Sequence, residues 1–289
     1  MIEAANFGAL PAEYSRAETA EIVIVPVPYD GTSTYVKGAD KGPEAIIRAS
    51  GNMELYDIET DSQVYLRGIF TDEPVKDGPE PEKMVRAVER RVGKHLADDK
   101  FVIVLGGEHS VSIGAVQAHA RKYPGMTVLQ LDAHSDLRDE YEGSRYNHAC
   151  VMARVKEMCP IVQVGIRSMD ISEKPAMDRE RVCFAEDIHH GTTGVDTIIG
   201  MLTDQVYITI DLDVFDPSIM PSTGTPEPGG LLWYDVLDLL KGVCRRSRIV
   251  GFDVVEMCPT ATNWGPDFMA AKLIYKLLSY RMGVLQKRG

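Results

Sequence analysis

Asp132, His134 and Asp136 stand two residues apart at the end of a short apolar run, Met126-Thr-Val-Leu-Gln-Leu131. In an extended backbone, side chains at i, i+2 and i+4 point to one side. The spacing therefore predicts that the three converge on one point just past a strand. Two carboxylates and an imidazole make a hard donor set with some nitrogen character. That set suits Mn, Fe or Zn better than Cu(I), which prefers thiolates. Taken alone, the motif also reads as a polar strand exit with a helix cap.

Groups of the same kind recur along the chain. His109 follows the apolar run Phe101-Val-Ile-Val-Leu105, behind Gly106 and Gly107, which are expected to let the backbone turn sharply toward the site. Asp211 and Asp213, again two apart, close the run Val206-Tyr-Ile-Thr-Ile210. Glu256 closes the run 248–255. His109, Asp132, Asp136 and Asp211 can hold one ion. Asp132, His134, Asp211 and Asp213 can hold a second if Asp132 and Asp211 bridge. Four carboxylates gathered without cations repel one another strongly. A pair of cations resolves this, and two cations sharing one hydroxide make a nucleophile at neutral pH.

These groups need a frame that brings several strand ends together. Apolar, partly β-branched runs at 21–27, 64–70, 101–105, 126–131, 161–166, 182–184, 206–210 and 248–255 predict strands. Helical patterns at 43–48, 83–96, 110–121, 147–158, 195–202, 233–245 and 267–280 alternate with them. Pro43 falls at a first helical position. Residues 1–20 are expected to pack last or at an interface, and His189 and His190 to lie in a solvated loop. The alternation predicts an α/β fold: a single three-layer αβα domain with a mostly parallel sheet, spanning residues 1–289. In such sheets, ligands bind beyond the carboxyl ends of the strands.

Composition narrows the function. The chain has 289 residues and a net charge of −12, which argues against nonspecific nucleic-acid binding. It holds no apolar run of the ~18 residues that span a bilayer. Residues 1–6 lack the features of a secretory signal. Cys150, Cys159, Cys183, Cys244 and Cys258 form no C-x-x-C pair. Reduced thiols in a cytoplasmic protein are expected.

Gly106-Gly-Glu-His-Ser110, Asp132-Ala-His-Ser-Asp136 and Asp211-Leu-Asp-Val-Phe-Asp-Pro217 resemble the three metal-binding motifs of the ureohydrolase family of arginases and agmatinases. The loop 221–231, the stretch Gly251-Phe-Asp-Val-Val-Glu-Met257 and the segment 38–48 are similar to it as well. The likeness covers essentially the whole chain and is greatest to the agmatinases. It implies an arginase-like fold, two Mn²⁺ ions per chain and homotrimers or homohexamers. The implied reaction is hydrolysis of a small cationic guanidinium substrate, agmatine, to putrescine and urea. All six implied ligands are present: His109, Asp132, His134, Asp136, Asp211 and Asp213. His148 takes the place of the family's proton shuttle, although the flanking Arg145-Tyr-Asn departs from the arginase pattern. Glu256 takes the place of the guanidinium-binding carboxylate, and a carboxylate suits a planar cation with several N–H donors. Asp136 is expected to orient the nucleophile. His148, with an imidazole pKa near neutrality, is expected to protonate the leaving amine.

The segment Leu137-Arg-Asp-Glu-Tyr-Glu-Gly-Ser144 is strongly acidic. Asp139, Glu140 and Glu142 are therefore expected to sense a cationic far end of the substrate. This favours agmatine, or N1-aminopropylagmatine with spermidine as product, over arginine. Arg138 and Arg145 keep a carboxylate-tailed guanidine such as guanidinobutyrate in view. A zinc amidohydrolase of the deacetylase type, with one ion, and a non-catalytic metal-stabilised scaffold are the competing readings.

Overall fold

The computed structural model describes residues 6–76 and 78–283. Residues 1–5, most of the stretch on which the absence of a secretory signal rests, lie outside the described residues. Eight strands make one sheet: β1 (Ile22–Val27), β2 (Ile69–Thr71), β3 (Phe101–Gly106), β4 (Thr127–Leu131), β5 (Ile161–Ile166), β6 (Val182–Phe184), β7 (Gln205–Asp211) and β8 (Arg248–Val255). Their order is β2-β1-β3-β8-β7-β4-β5-β6, and every pairing is parallel.

Helices cover both faces. On one side lie α1 (Gly42–Ser50), α6 (Val195–Gly200), α7 (Trp233–Arg246) and α8 (Gly265–Met282). On the other lie α2 (Pro81–Ala97), α3 (Val111–Lys122) and α4 (Val151–Lys156). A short α5 (Ala185–His189) follows β6. Burial on both faces explains the continuous apolar runs. Inside those runs the side chains still alternate. Ile22, Ile24, Ile103 and Leu105 fill the α1/α7/α8 side, whereas Val23, Val25, Val102 and Val104 fill the other.

Two expectations need correction, and a third needs a different physical reason. Only the end of 64–70 is a strand, because Val64–Arg67 is a 3-10 turn with Leu66 exposed. Pairing with β1 begins where Gly68 accepts from Ile22, and Gly68 sits at φ 76° tight against Ala20. His189 ends α5 rather than lying in a loop; it and His190 are exposed as expected. The chain does bend at Gly107, as expected, but neither Gly106 nor Gly107 uses positive φ to do so. They allow close approach instead: a Cβ on Gly107 would lie 2.0 Å from the Tyr29 carbonyl oxygen. In the N-terminal segment, Phe7 is fully buried in the core of its own chain.

Candidate metal centre

The sheet order gathers the candidate residues. β3, β8, β7 and β4 are neighbours at its middle. At or just beyond their carboxyl ends stand His109, Glu256, Asp211 with Asp213, and Asp132 to Asp136 respectively. The four strands are scattered along the chain but consecutive in the sheet. The strand order reverses here, which is where open parallel sheets bind ligands.

The side chains form two groups that share Asp132. His109 Nδ1 lies 3.1 Å from Asp132 Oδ2, 3.0 Å from Asp136 Oδ2 and 3.5 Å from Asp211 Oδ2. His134 Nδ1 lies 2.9 Å from Asp213 Oδ2 and 3.7 Å from Asp132 Oδ1. Each set offers clustered donor atoms suited to a divalent cation: His109, Asp132 and Asp211 in one, Asp132, His134 and Asp213 in the other. Asp132 enters both sets; Asp211 enters only the first. The motif around Asp132 therefore does not converge on one point, as an extended backbone would require. Asp136 turns back toward His109 through a left-handed conformation, φ 52°, while His134 faces Asp213.

The donor set fits cations on a specific observation. His109 Nε2 lies 2.8 Å from Thr209 Oγ1, whose hydroxyl donates to Asp253 Oδ1 at 2.6 Å. Thr209 thus accepts from the His109 Nε2–H, and the Nδ1 lone pair is left facing three carboxylates. Nδ1 is buried and has no hydrogen-bond partner. Only a proton or a metal cation relieves that arrangement. Burial alone lowers the His109 pKa, but Asp132 and Asp136 more than reverse it, to well above the usual imidazole value. Burial, then the charge of Asp132, pushes the Asp136 carboxyl up to about 7. Burial, then Asp213, pushes Asp211 well up.

Beneath these groups runs a polar row. Gln163, Gln130, Thr209 and Asp253 are register partners across β5, β4, β7 and β8, and all are buried. Gln163 donates to Gln130 Oε1 at 2.6 Å, and Gln130 donates to Asp132 Oδ2 at 2.7 Å. Tyr207 donates to the second Asp253 oxygen at 2.7 Å. The row holds Asp132 and His109 in place from below, and hydrogen bonds of this kind orient metal-binding side chains.

Glu256, at φ 63°, is the other left-handed residue at the centre. Such a conformation costs on the order of 1–3 kcal/mol in a non-glycine residue and collects at functional sites. Two hydrogen bonds hold it: its N–H donates to the Gly107 carbonyl at 2.7 Å, and its Oε1 accepts the His109 N–H at 2.7 Å. Oε2 lies on the side of Gly224. Burial, then Glu108, raises the Glu256 pKa well above the usual range. His148 begins a 3-10 turn capped by Asn147, and its Nδ1 lies 3.2 Å from Thr32 Oγ1. Burial, then the positive charge of His134 and His109, lowers its pKa to about 4, not the near-neutral value expected from the sequence. Glu108 is fully buried behind Thr32. Burial pushes its carboxyl up against the hydrogen bonds from Ser110 and Thr32 that hold it down.

The centre opens into a cleft of about 190 Å³. His109, His134, Asp136, Asp211 and Glu256 are among its lining, and Tyr35, Tyr141, His148, Arg138 and Asp170 complete its walls and rim. Arg138 lies over the Tyr141 ring at 4.3 Å, and its Nη2 is 4.0 Å from Asp170 Oδ2. The acidic segment does not do what its composition suggests. Asp139, Glu140 and Glu142 are exposed and absent from the cleft lining. Asp139 instead binds Arg154 at 2.5 Å and Arg145 at 3.0 Å, and Arg145 also reaches Glu157. Arg145 is thereby tied up outside the cleft; Arg138 lines it. Sequence reasoning passed over Asp170, Thr32, Glu108 and the polar row. The row did leave a signal: single polar residues inside apolar runs, as in Leu129-Gln130-Leu131 and Ile208-Thr209-Ile210.

The Arginase family profile matches residues 20–279. The N(1)-aminopropylagmatine ureohydrolase of Synechocystis is 39% identical over 273 residues, covering 90% of this chain and 89% of that protein. The agmatinase of Pyrococcus horikoshii is 34% identical over 284 residues, covering 90% and 91%. The crystal structure of agmatine ureohydrolase of Thermoplasma volcanium superposes with a TM-score of 0.86 at 31% identity, covering 100% of this chain and 98% of that one. The matched span contains all eight strands and every residue of the two clusters, and on that ground this chain belongs to the arginase family.

Proposed function

We propose that this chain is an agmatinase, holding two Mn²⁺ ions and hydrolysing agmatine to urea and putrescine. The observation that carries this reading is the pair of donor clusters sharing Asp132, with the Glu256 carboxylate in the same cleft. His109, Asp132, Asp136 and Asp211 would hold one ion, and Asp132, His134 and Asp213 the other; the expectation from the sequence that Asp211 also serves the second ion has no support in the donor sets. What a pair of divalent cations supplies at such a site is a water acidic enough to lose a proton at neutral pH.

The chain's own residues do the rest. Glu256 Oε1 is committed to the His109 N–H, so Oε2 is the atom that receives the guanidinium. Asp136 orients the attacking water. Attack at the guanidinium carbon must be matched by protonation of the departing nitrogen, because an amide anion does not leave. Burial and the positive charge of the neighbouring centre hold the His148 pKa below the usual imidazole value, so the ring is neutral at working pH and carries protons rather than storing one. Its ring nitrogen takes a proton from the attacking water and gives it to the leaving amine as the C–N bond breaks. Asp170 on the rim, 43% exposed, is the acceptor for the distal ammonium in place of the acidic segment.

A second substrate, N1-aminopropylagmatine, is favoured by the higher identity to the Synechocystis protein. Both substrates present a guanidinium at one end and an amine further out, and both use the same residues. A single-ion deacetylase-type site would leave the group of Asp132, His134 and Asp213 without a use. A non-catalytic scaffold would leave Glu256 and His148 without one. Homotrimers or homohexamers are part of the proposal, consistent with exposed Tyr35, Ile171, Tyr234 and Trp264. So is a cytoplasmic setting, consistent with five unpaired cysteines. Among the described residues no helix is long and apolar enough to cross a membrane.

Side-by-side urea release from agmatine, N1-aminopropylagmatine, arginine and guanidinobutyrate by the Mn²⁺-loaded protein tests the reading. One of the first two should have the highest kcat/KM. A maximum for arginine or guanidinobutyrate would overturn the substrate assignment.

A further inference from the structure

His148 is held by two residues from distant parts of the chain, and their hydrogen-bond roles leave little freedom. Glu108 is fully buried and accepts four hydrogen bonds. The Thr32 N–H and the Ser33 N–H, the latter at 2.9 Å, both donate to Oε2. The hydroxyls of Thr32, at 2.6 Å, and Ser110, at 2.5 Å, both donate to Oε1. Two N–H donors on Oε2 and two hydroxyls on Oε1 leave no lone-pair site where a carboxyl proton would sit without displacing one of them, so the group is an ionised carboxylate, which can only accept. Thr32 has a single hydroxyl proton, and Glu108 takes it. The two lone pairs of Thr32 Oγ1 remain. One accepts the His148 backbone N–H at 3.0 Å. The other faces His148 Nδ1 at 3.2 Å. An oxygen with no proton left to give can only accept, so the proton of the neutral imidazole must sit on Nδ1. Thr32 is 9% exposed and Glu108 fully buried, so little water competes for these positions.

We propose that Glu108 and Thr32 are positioning residues that lock His148 in the Nδ1–H tautomer, leaving the Nε2 lone pair free to take and pass on protons in the cleft. This rests on the reading of His148 as the proton carrier. Neither Glu108 nor Thr32 touches the reacting atoms. Glu108 acts through one hydroxyl, which it polarises and orients. A ring in the other tautomer would present Nε2–H, which cannot accept a proton.

The same donor count predicts what Glu108→Gln does. The amide oxygen must face the N–H groups of Thr32 and Ser33. The amide NH₂ is then turned to the two hydroxyls. Thr32 becomes the acceptor from Gln and gives its proton to His148 Nδ1, which drives the ring to the Nε2–H tautomer. The measurement is the ring ¹⁵N shifts of ¹⁵N-histidine-labelled protein loaded with diamagnetic Mg²⁺, with His148 assigned by its loss in His148→Asn. Wild type and Thr32→Ser should show Nδ1 as the protonated nitrogen, and Glu108→Gln should show the shifts exchanged. In the Mn²⁺ enzyme, Glu108→Gln and Thr32→Val should lower kcat by about 10²–10⁴-fold, with KM and manganese content unchanged, and Thr32→Ser should restore kcat. The Thr32→Val and Thr32→Ser pair decides the matter even if Glu108→Gln fails to fold. The proposal is overturned if His148 keeps Nδ1–H in both Glu108→Gln and Thr32→Val, or if Thr32→Val turns over like wild type while His148→Asn does not. Undiminished turnover in His148→Asn would instead overturn the proton-carrier reading on which the proposal stands.

Discussion

Asp253 is the register partner of Thr209 in the parallel pairing of β7 with β8, and its Oδ1 takes the Thr209 hydroxyl proton at 2.6 Å. That one proton decides which nitrogen of His109 carries its own proton: Thr209 can only accept, so the proton sits on Nε2 and the Nδ1 lone pair is left facing the carboxylates. Thr209→Val removes the acceptor for His109 Nε2–H and lets the ring place its proton on Nδ1. Loss of such an outer hydrogen bond typically weakens metal binding about 10–100-fold. Calorimetric titration with Mn²⁺ should show one of two binding events weakened by that amount, and Thr209→Ser should restore it. Two unchanged events would show that the row beneath the site does not orient His109.

The row also shows what the sequence does and does not carry. The three-layer fold, nearly every strand and both halves of the candidate centre were legible, because apolar periodicity and the spacing of Asp132, His134, Asp211 and Asp213 are local properties. Gln130 and Thr209 each precede a candidate ligand by two residues, inside apolar strands. Their pairing with Gln163 and Asp253 depends on strand register, which no local pattern specifies. Thr32 meets Glu108 from 76 residues away and His148 from 116. The charge of segment 137–144 was legible, but its direction was not. Arg145 and Arg154 draw Asp139 away from the cleft, and composition cannot show which partner an acid chooses.

That correction changes the expected selectivity. Asp170→Asn should reduce kcat/KM for agmatine more than for a guanidine with an uncharged tail, since only agmatine brings an ammonium to the rim. Neutralising Asp139, Glu140 and Glu142 together should affect both substrates alike. Exposed charges are screened, and Asp139 is already paired. A selective loss in the triple variant, with none in Asp170→Asn, would return the far end of the substrate to the acidic segment.

Glu256→Gln keeps the shape of the side chain and removes its charge. Hydrogen bonds to charged groups contribute roughly 1.5–3 kcal/mol. The expected loss in kcat/KM is therefore about 10–100-fold, equal for every guanidinium substrate whatever its tail. Steady-state kinetics on agmatine and a neutral-tailed guanidine check this. A loss confined to one of them would place Glu256 at the tail rather than at the guanidinium.

Without cations, the clustered acids make stability depend on pH in a definite direction. The Asp136 carboxyl rises from 3.8 to about 7 in the fold, chiefly through burial and then Asp132. The native state then binds more protons than the unfolded state between those values, so stability falls as pH rises across that window. The His134 imidazole rises from 6.5 to about 12: burial opposes the shift, and Asp213 and Asp132 override it. Its contribution is complete below 6.5 and is likewise lost as pH rises. Cations take the place of those protons. The increase in Tm on adding Mn²⁺ to chelator-treated protein should therefore grow from pH 5 to pH 8. An increase independent of pH would mean that the carboxylates and imidazoles of this cluster do not bind the ions.

The number of Mn²⁺ ions bound per chain when urea release from agmatine reaches its maximum tests the two-cluster centre most directly. Elemental analysis of protein titrated to full activity should give two per chain, one for each set of donors around Asp132. Full activity with one ion per chain would contradict the account.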